Sequence, residues 1–332
     1  MKTSANKRGF TLIELLVAMA ITSTIIVTLV SITSVAVDAW SRSRSEVRAS
    51  RISQIAFESL TQDLSSAVIQ KGNPYEWLSV ENDDRQNRKA ASAVRLAFFS
   101  AAPDRYDGTE EGSVGHDGGD ICGIGYYMSF GDPLTSALGG GANGFDISSL
   151  YRVRVDPRET FEGTNPANPD GGLLAKRNLI TAGDNPSPAF ADFSAPMVGN
   201  QGSANPEADD FLAENIVGLS LSFLISYEDT NAAGEPVTRT KVATIGNRTL
   251  QDAASSVRVF GNRLEVIRSQ TGEDQDLRDG KIESITIDLS VLSETGVQRL
   301  RNFTGGSESA EFSRLMSQET YRYTRTISLP GS

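Results

Sequence analysis

Between Phe10 and Val37 the chain runs for 28 residues with a single charge, the carboxylate of Glu14. A helix needs about 20 apolar residues to cross the hydrocarbon of a bilayer, whereas the apolar region of a cleavable secretory signal is only about 7–15 residues long. The stretch is therefore read as a membrane-spanning helix, although Ser34-Val35-Ala36 would also suit a signal peptidase. Thr and Ser at 22–24, 28, 31, 33 and 34 dilute its second half, but their hydroxyls can return hydrogen bonds to carbonyls of the same helix. A carboxylate inside a membrane costs on the order of 3 kcal/mol on insertion scales and normally has a partner, so Glu14 is read as a functional residue. Lys2, Lys7 and Arg8 precede the span, but Arg42, Arg44, Arg48 and Arg51 follow it, partly offset by Asp38 and Glu46. On charge alone the positive-inside rule nearly ties.

No proline interrupts Phe10 to Lys71, and Phe57, Leu60, Leu64 and Val68 keep a helical spacing of 3, 4 and 4. One helix is predicted over the whole stretch, with a membrane half at 10–37, an amphipathic half at 38–71, and Gly72-Asn73-Pro74 as its stop. Trp40 sits where an aromatic ring would rest at the membrane surface. The stripe is expected to pack on the globular remainder, 72–332.

Beyond Pro74 the apolar period falls to two, through Val94, Leu96 and Phe98, then Tyr151, Val153 and Val155. The clearest strand runs from Val217 to Tyr227 through Leu219, Leu221, Phe223 and Ile225. Ile285, Ile287, Leu289 and Val291 repeat it, as do Tyr321, Tyr323, Ile327 and Leu329. Half-buried antiparallel strands are expected there, with weaker ones at 121–130, 237–245 and 257–267 and a short helix over 311–319. Seven of the 12 prolines lie between Asp156 and Leu212, which reads as a long loop insertion, 156–212. The fold class is α+β: a long N-terminal helix packed on antiparallel sheet.

A net charge of -11 argues against nucleic acid as the main partner, because neutralising phosphates needs a basic footprint. Cys122 and His116 are the only residues of their types, which excludes an intramolecular disulfide, Cys/His zinc sites and most histidine-dependent catalysis. Gly139 to Gly144 formally matches GxGxxG, but Asp132-Pro133 precedes it and a strand pattern follows, so it is read as a loop. No GxSxG, Walker A or HExxH motif occurs, and no enzymatic role is expected. Two acidic clusters remain, one including Asp117 and Asp120, the other Asp274 and Asp276. Neither has EF-hand spacing, and solvated acidic loops are expected, with calcium as the alternative and no other cofactor.

Gly9-Phe10-Thr11-Leu12-Ile13-Glu14-Leu15-Leu16-Val17-Ala18 resembles the class III signal of type IV pilins and type II secretion pseudopilins. The resemblance implies a leader, 1–9, removed by a prepilin peptidase after Gly9, with methylation of the new amino group on Phe10. It implies that Glu14 pairs with the amino terminus of a neighbouring subunit during filament assembly. It also implies a single-pass protein of the bacterial inner membrane, leader cytoplasmic and domain periplasmic, which later enters the filament. The order of elements, from Asn215–Tyr227 through Lys281–Leu292 to the closing strand, is similar to the J-type minor pseudopilins and W-type minor pilins. The length is similar to that of the C members of prepilin-like cassettes of Verrucomicrobia-type bacteria. The partners implied are the peptidase, other minor and major pseudopilins or pilins, and the inner membrane. The resemblance thus implies a non-enzymatic minor subunit whose mature 323 residues suit a filament tip by bulk; Glu14 argues against the K-type tip subunit, which lacks that acid. The alternative is a filament-displayed adhesin or uptake receptor that uses the 156–212 loops.

Overall fold

The computed structural model describes residues 11–73, 76–82, 92–101, 121–131, 147–155, 211–231, 234–246, 253–303 and 309–329. They fall into two compact units, 1–48 and 49–332. In the first, every described residue after Thr11 belongs to helix α1 (Leu12–Ser65). Leu12, Leu16, Ile21, Ile26, Val30 and Val37 stand exposed, as a lipid-facing surface requires. The hydroxyls of Thr22, Thr24, Thr28, Ser31 and Thr33 each return to the carbonyl four residues back at 2.7–2.9 Å, so the polar residues of this apolar run are satisfied within it.

In the second unit α1 buries Ala49, Ile52, Ala56, Phe57, Leu60 and Leu64, one stripe of a 3.6-residue period. The sheet elements are β1 (Glu76–Asn82), β2 (Val94–Ser100), β3 (Cys122–Gly131), β4 (Ile147–Val155), β5 (Phe211–Glu214), β6 (Ile216–Thr230), β7 (Pro236–Ile245), β8 (Ala254–Phe260), β9 (Leu264–Arg268), β10 (Gly272–Glu273), β11 (Lys281–Leu292) and β12 (Thr320–Ile327). Two short helices, α2 (Glu294–Arg301) and α3 (Ala310–Glu319), join β11 to β12. An eight-stranded sheet has the order β10-β9-β8-β1-β2-β3-β4-β5, and a four-stranded sheet the order β12-β11-β6-β7. The helix stripe shares one core with Leu78, Phe98 and Ile124 of the large sheet and with Phe223, Ile287 and Leu289 of the small one.

Between β5 and β6 the chain passes from the large sheet to the small one within a single residue. Asn215, between β5 and β6, has φ 61°, a left-handed conformation that asparagine tolerates better than most. β5 pairs with β4 in the large sheet, and β6 pairs with β11 and β7 in the small one. The insertion therefore closes on neighbouring strands and ends before Phe211 rather than at 212; residues 156–210 lie outside the described residues.

Several expectations change. The helix stops at Ser65, not Lys71, because the following backbone leaves to pair with β2: Val68 N–H donates to Phe99 O and Ala101 N–H to Ser66 O, each at 2.8 Å. Val68 consequently leaves the helical stripe and packs on a second, aromatic cluster. That cluster, built on Trp77, Phe99, Tyr127 and Tyr151, lies on the opposite face of β2 and β3 from the main core, so these strands are buried on both faces rather than half-buried. The pairs Phe98-Phe99 and Tyr126-Tyr127 require this, because a period of two sends neighbours to opposite sides. The strand expected at 257–267 is two strands joined at Gly261-Asn262-Arg263, where Phe260 N–H donates to Arg263 O at 2.9 Å. The helix expected at 311–319 is α3, and α2 was not foreseen; Ser293 caps α2 by accepting from Gly296 N–H at 2.9 Å.

Candidate functional site

At the start of α1 the residues Thr11-Leu12-Ile13-Glu14 form a reciprocal cap. Thr11 donates to Glu14 Oε2 from both its backbone N–H and its hydroxyl, each at 2.9 Å, while Glu14 N–H reaches back to Thr11 Oγ1 at 3.4 Å. This is a capping box: a hydroxyl residue before the first helical position and an acid three residues on satisfy donors that the helix cannot. Glu14 therefore has a local partner within its own chain. The pattern T-x-x-E was present in the sequence and is the signal that identifies it. Gly9 and Phe10 lie outside the described residues. Farther along, the Arg44 guanidinium lies over the Trp40 ring, 5.8 Å from its centroid, which keeps both on one turn-spaced face of the helix.

The last turns of α1 carry a buried acid that sequence reasoning passed over. Asp63 is 3% exposed, and Arg152 of β4 meets it with Nε at 2.6 Å from Oδ2 and Nη2 at 2.9 Å from Oδ1. The Tyr126 hydroxyl of β3 donates to the same Oδ2 and lies 2.9 Å from Ser59 Oγ, one turn earlier on the helix. Burial and the Asp63 carboxylate push the Tyr126 phenol above its ordinary range, and the hydrogen bond to Asp63 raises the Arg152 guanidinium further. One carboxylate thus ties the helix to two adjacent strands. This is a structural fastening and offers no open reacting group.

The acidic clusters divide. Asp117 and Asp120, like His116 and the 139–144 glycines, lie outside the described residues. Asp274, 7% exposed at its side chain, accepts from Arg268 Nε at 2.8 Å and Lys241 Nζ at 2.7 Å, and Asp276 stands 3.7 Å from the same lysine and mostly in solvent. Burial alone would raise the Asp274 carboxyl, but the hydrogen bonds from Lys241 and Arg268 more than offset it and hold it below its ordinary value. Both cations meet Asp274 at the same oxygen, Oδ2. Among the described residues no three His, Cys, Asp or Glu side chains converge as a metal site. Cys122 is buried in β3, its thiol 3.8 Å from Ser100 O.

Residues 4–30 match the family described as the prokaryotic N-terminal methylation motif. No curated protein and no solved structure matches the chain. The matched segment, the capped and unburied apolar half of α1 and the α+β architecture together support a type IV prepilin-like protein with a class III signal. Such a signal implies processing by prepilin peptidase and assembly with other pilins, and bearers of the motif are structural subunits. The adhesin loops expected at 156–212 fall almost wholly outside the described residues.

Proposed function

We propose that the chain is a minor pseudopilin or minor pilin: cut after Gly9, N-methylated at Phe10, and incorporated at or near the tip of a type II secretion pseudopilus or a type IV pilus. The observation that carries this reading is the methylation motif at 4–30, set on a helix whose apolar half is long enough to span a membrane and has no buried residue. In this reading the leader faces the cytoplasm and the unit from Ala49 onward the periplasm. The resting subunit sits in the inner membrane by its first 28 mature residues, and Glu14 is held there by Thr11 until a neighbour's amino terminus competes for it. Extraction into the filament replaces lipid around Leu12 to Val37 with the helices of other subunits, so the exposed apolar surface has a partner in both states. The mature bulk favours the tip, where a subunit needs neighbours on one side only.

The test is mass spectrometry of the protein recovered from membranes and from sheared filament fractions. The expected result is a chain beginning at a methylated Phe10 in both fractions, scarce relative to the major subunit in the second. A chain that retains residues 1–9, or one shed into the medium without the apolar segment, would overturn the reading.

A further inference from the structure

A cavity of about 280 Å³ opens in the second unit where the strap after α1, the β8–β9 turn and the start of β11 meet. Its walls are apolar, with Ile69, Phe260 and Ile282 among them, and its charges are four cations, Lys71, Arg263, Arg278 and Lys281, against one acid, Asp279. This concentration of positive charge occurs in a chain of net charge -11. Elsewhere in the unit Arg152, Arg239, Arg258 and Arg299 each close on a carboxylate within 3 Å. Around the cavity, by contrast, Lys71, Arg278 and Lys281 make no ion pair among the described residues. Arg263 lies over the Phe260 ring at 4.8 Å from the centroid, and its Nε is buried without a hydrogen-bond partner. Its ion pair with Glu265 is long at 3.6 Å. Lys71, Arg278 and Lys281 stand exposed and solvated, so an arriving anion would meet three mobile cations beside the buried Arg263 Nε.

The position of the wall is set by backbone contacts rather than by mobile side chains. Gly72 N–H donates to Gly261 O at 2.9 Å, and a Cβ on Gly261 would come within 2.4 Å of both Gln70 O and Asn73 Oδ1. Only glycine lets the strap lie this close to the turn. The strap thereby carries Lys71 to the cavity that Arg263 lines from the turn.

We propose that this cavity receives a carboxylate side chain together with an adjacent apolar side chain from another polypeptide. The cations take the carboxylate and the Ile69 and Phe260 walls take its neighbour. The size favours a polypeptide source: small-molecule sites usually enclose about 300–1,000 Å³, and this cavity falls just below that range, enough for one or two side chains whose backbone stays outside. In the filament reading the donor is a partner subunit; that reading supplies only the donor's identity, and the site can be tested without any filament.

The experiment uses the purified full chain in detergent micelles, titrated by calorimetry with an acetylated, amidated Gly-Leu-Glu-Leu-Gly peptide, the same peptide with Gln for Glu, sodium succinate and inorganic phosphate. The Glu peptide is expected to bind saturably, and the Gln peptide about tenfold more weakly, the difference between a charge-assisted and a neutral hydrogen bond. Arg278→Gln with Lys281→Gln should abolish binding while Arg299→Gln, on α2 beyond the opposite end of β11, leaves it intact. Should the double variant lose its thermal midpoint, Lys71→Gln on the exposed strap and the salt dependence of the unaltered protein carry the same test, each expected to weaken binding. Equal binding of the Glu and Gln peptides, or no binding of either, overturns the site. Succinate or phosphate binding as tightly as the peptide overturns the polypeptide donor. Peptide binding that is intact while the chain recovered from cells retains residues 1–9 would refute the filament reading alone.

Discussion

Arg152 sets Nε and Nη2 against the two carboxylate oxygens of Asp63, at 2.6 and 2.9 Å, and so fastens the fourth strand of the large sheet to the last turns of α1. The pair is asymmetric, because the arginine side chain keeps 30% of its surface in solvent and the aspartate only 5%. Removing the arginine therefore does more harm than removing the acid: it strands a buried charge, whereas the reverse leaves a cation that water can reach.

Arg152→Ala should cost about 3 kcal/mol, the lower end for breaking a buried pair, and lower the thermal midpoint by about 9 °C for a unit of this size. Asp63→Asn should cost less, and Asp63→Leu with Arg152→Met should recover part of the loss, because no charge is then left unpaired. Thermal melting of the full chain in detergent decides it. An unchanged midpoint in Arg152→Ala would show that the pair does not hold the helix to the sheet.

Asp274 gives the unit an acid-sensitive contact. Its carboxyl lies below the ordinary 3.8 in the folded chain, so it binds a proton more readily when unfolded. Stability from this group is complete above pH 3.8 and is lost as pH falls through the lower folded value. Asp274→Asn should therefore be less stable than the parent at pH 7, and the gap should narrow as pH falls below 3.8. Denaturant midpoints between pH 7 and pH 2 measure this, and a gap that stays constant across the range would refute the assignment.

Gly9→Val should leave the leader attached, since a branched side chain next to the scissile bond obstructs the peptidase that the signal implies. The variant should still insert, because the apolar run is unaltered. Intact-mass measurement checks it, and a chain beginning at Phe10 in that variant would place the cut by another enzyme.

The periodicities made much of this legible. Ile285, Ile287, Leu289 and Val291 alternate in sequence and are all buried on one face of β11; Phe57, Leu60 and Leu64 keep the helical spacing and are buried on α1. What failed to show was of two kinds. β1 was invisible because Trp77, Leu78, Ser79 and Val80 are all buried, so no alternation marks a strand covered on both faces. The Asp63–Tyr126–Arg152 cluster was invisible because its members are 63 and 89 residues apart from the acid, and only the register of β3 on β4 sets Tyr126 opposite Arg152. The first crossing between the two sheets turns on Asn215, and one residue carries no pattern. The cap at Thr11 and Glu14 is a different case: four consecutive letters spelled it, and the cost of an intramembrane carboxylate drew attention from its local use.

That double role allows Glu14 to be dissected. As a cap, the acid needs only an acceptor, and glutamine serves the third helical position of a capping box as well. As an assembly residue it needs its charge, because the expected partner is the amino group of Phe10 on an adjacent subunit. Glu14→Gln should keep the helix start, insert into the membrane and be cut after Gly9, yet fail to enter filaments. Glu14→Ala should lose both functions and fray the first turn. Thr11→Val should lose the hydroxyl half of the cap, at a cost of about 1 kcal/mol or less to the helix start, and still assemble because the carboxylate remains. The measurements are crosslinking of the mature protein to partner subunits in membranes and recovery in sheared filaments. Should Glu14→Gln assemble as the parent does while Thr11→Val and Glu14→Ala fail together, the acid acts only by capping its own helix, and the charge has no part in joining one subunit to the next.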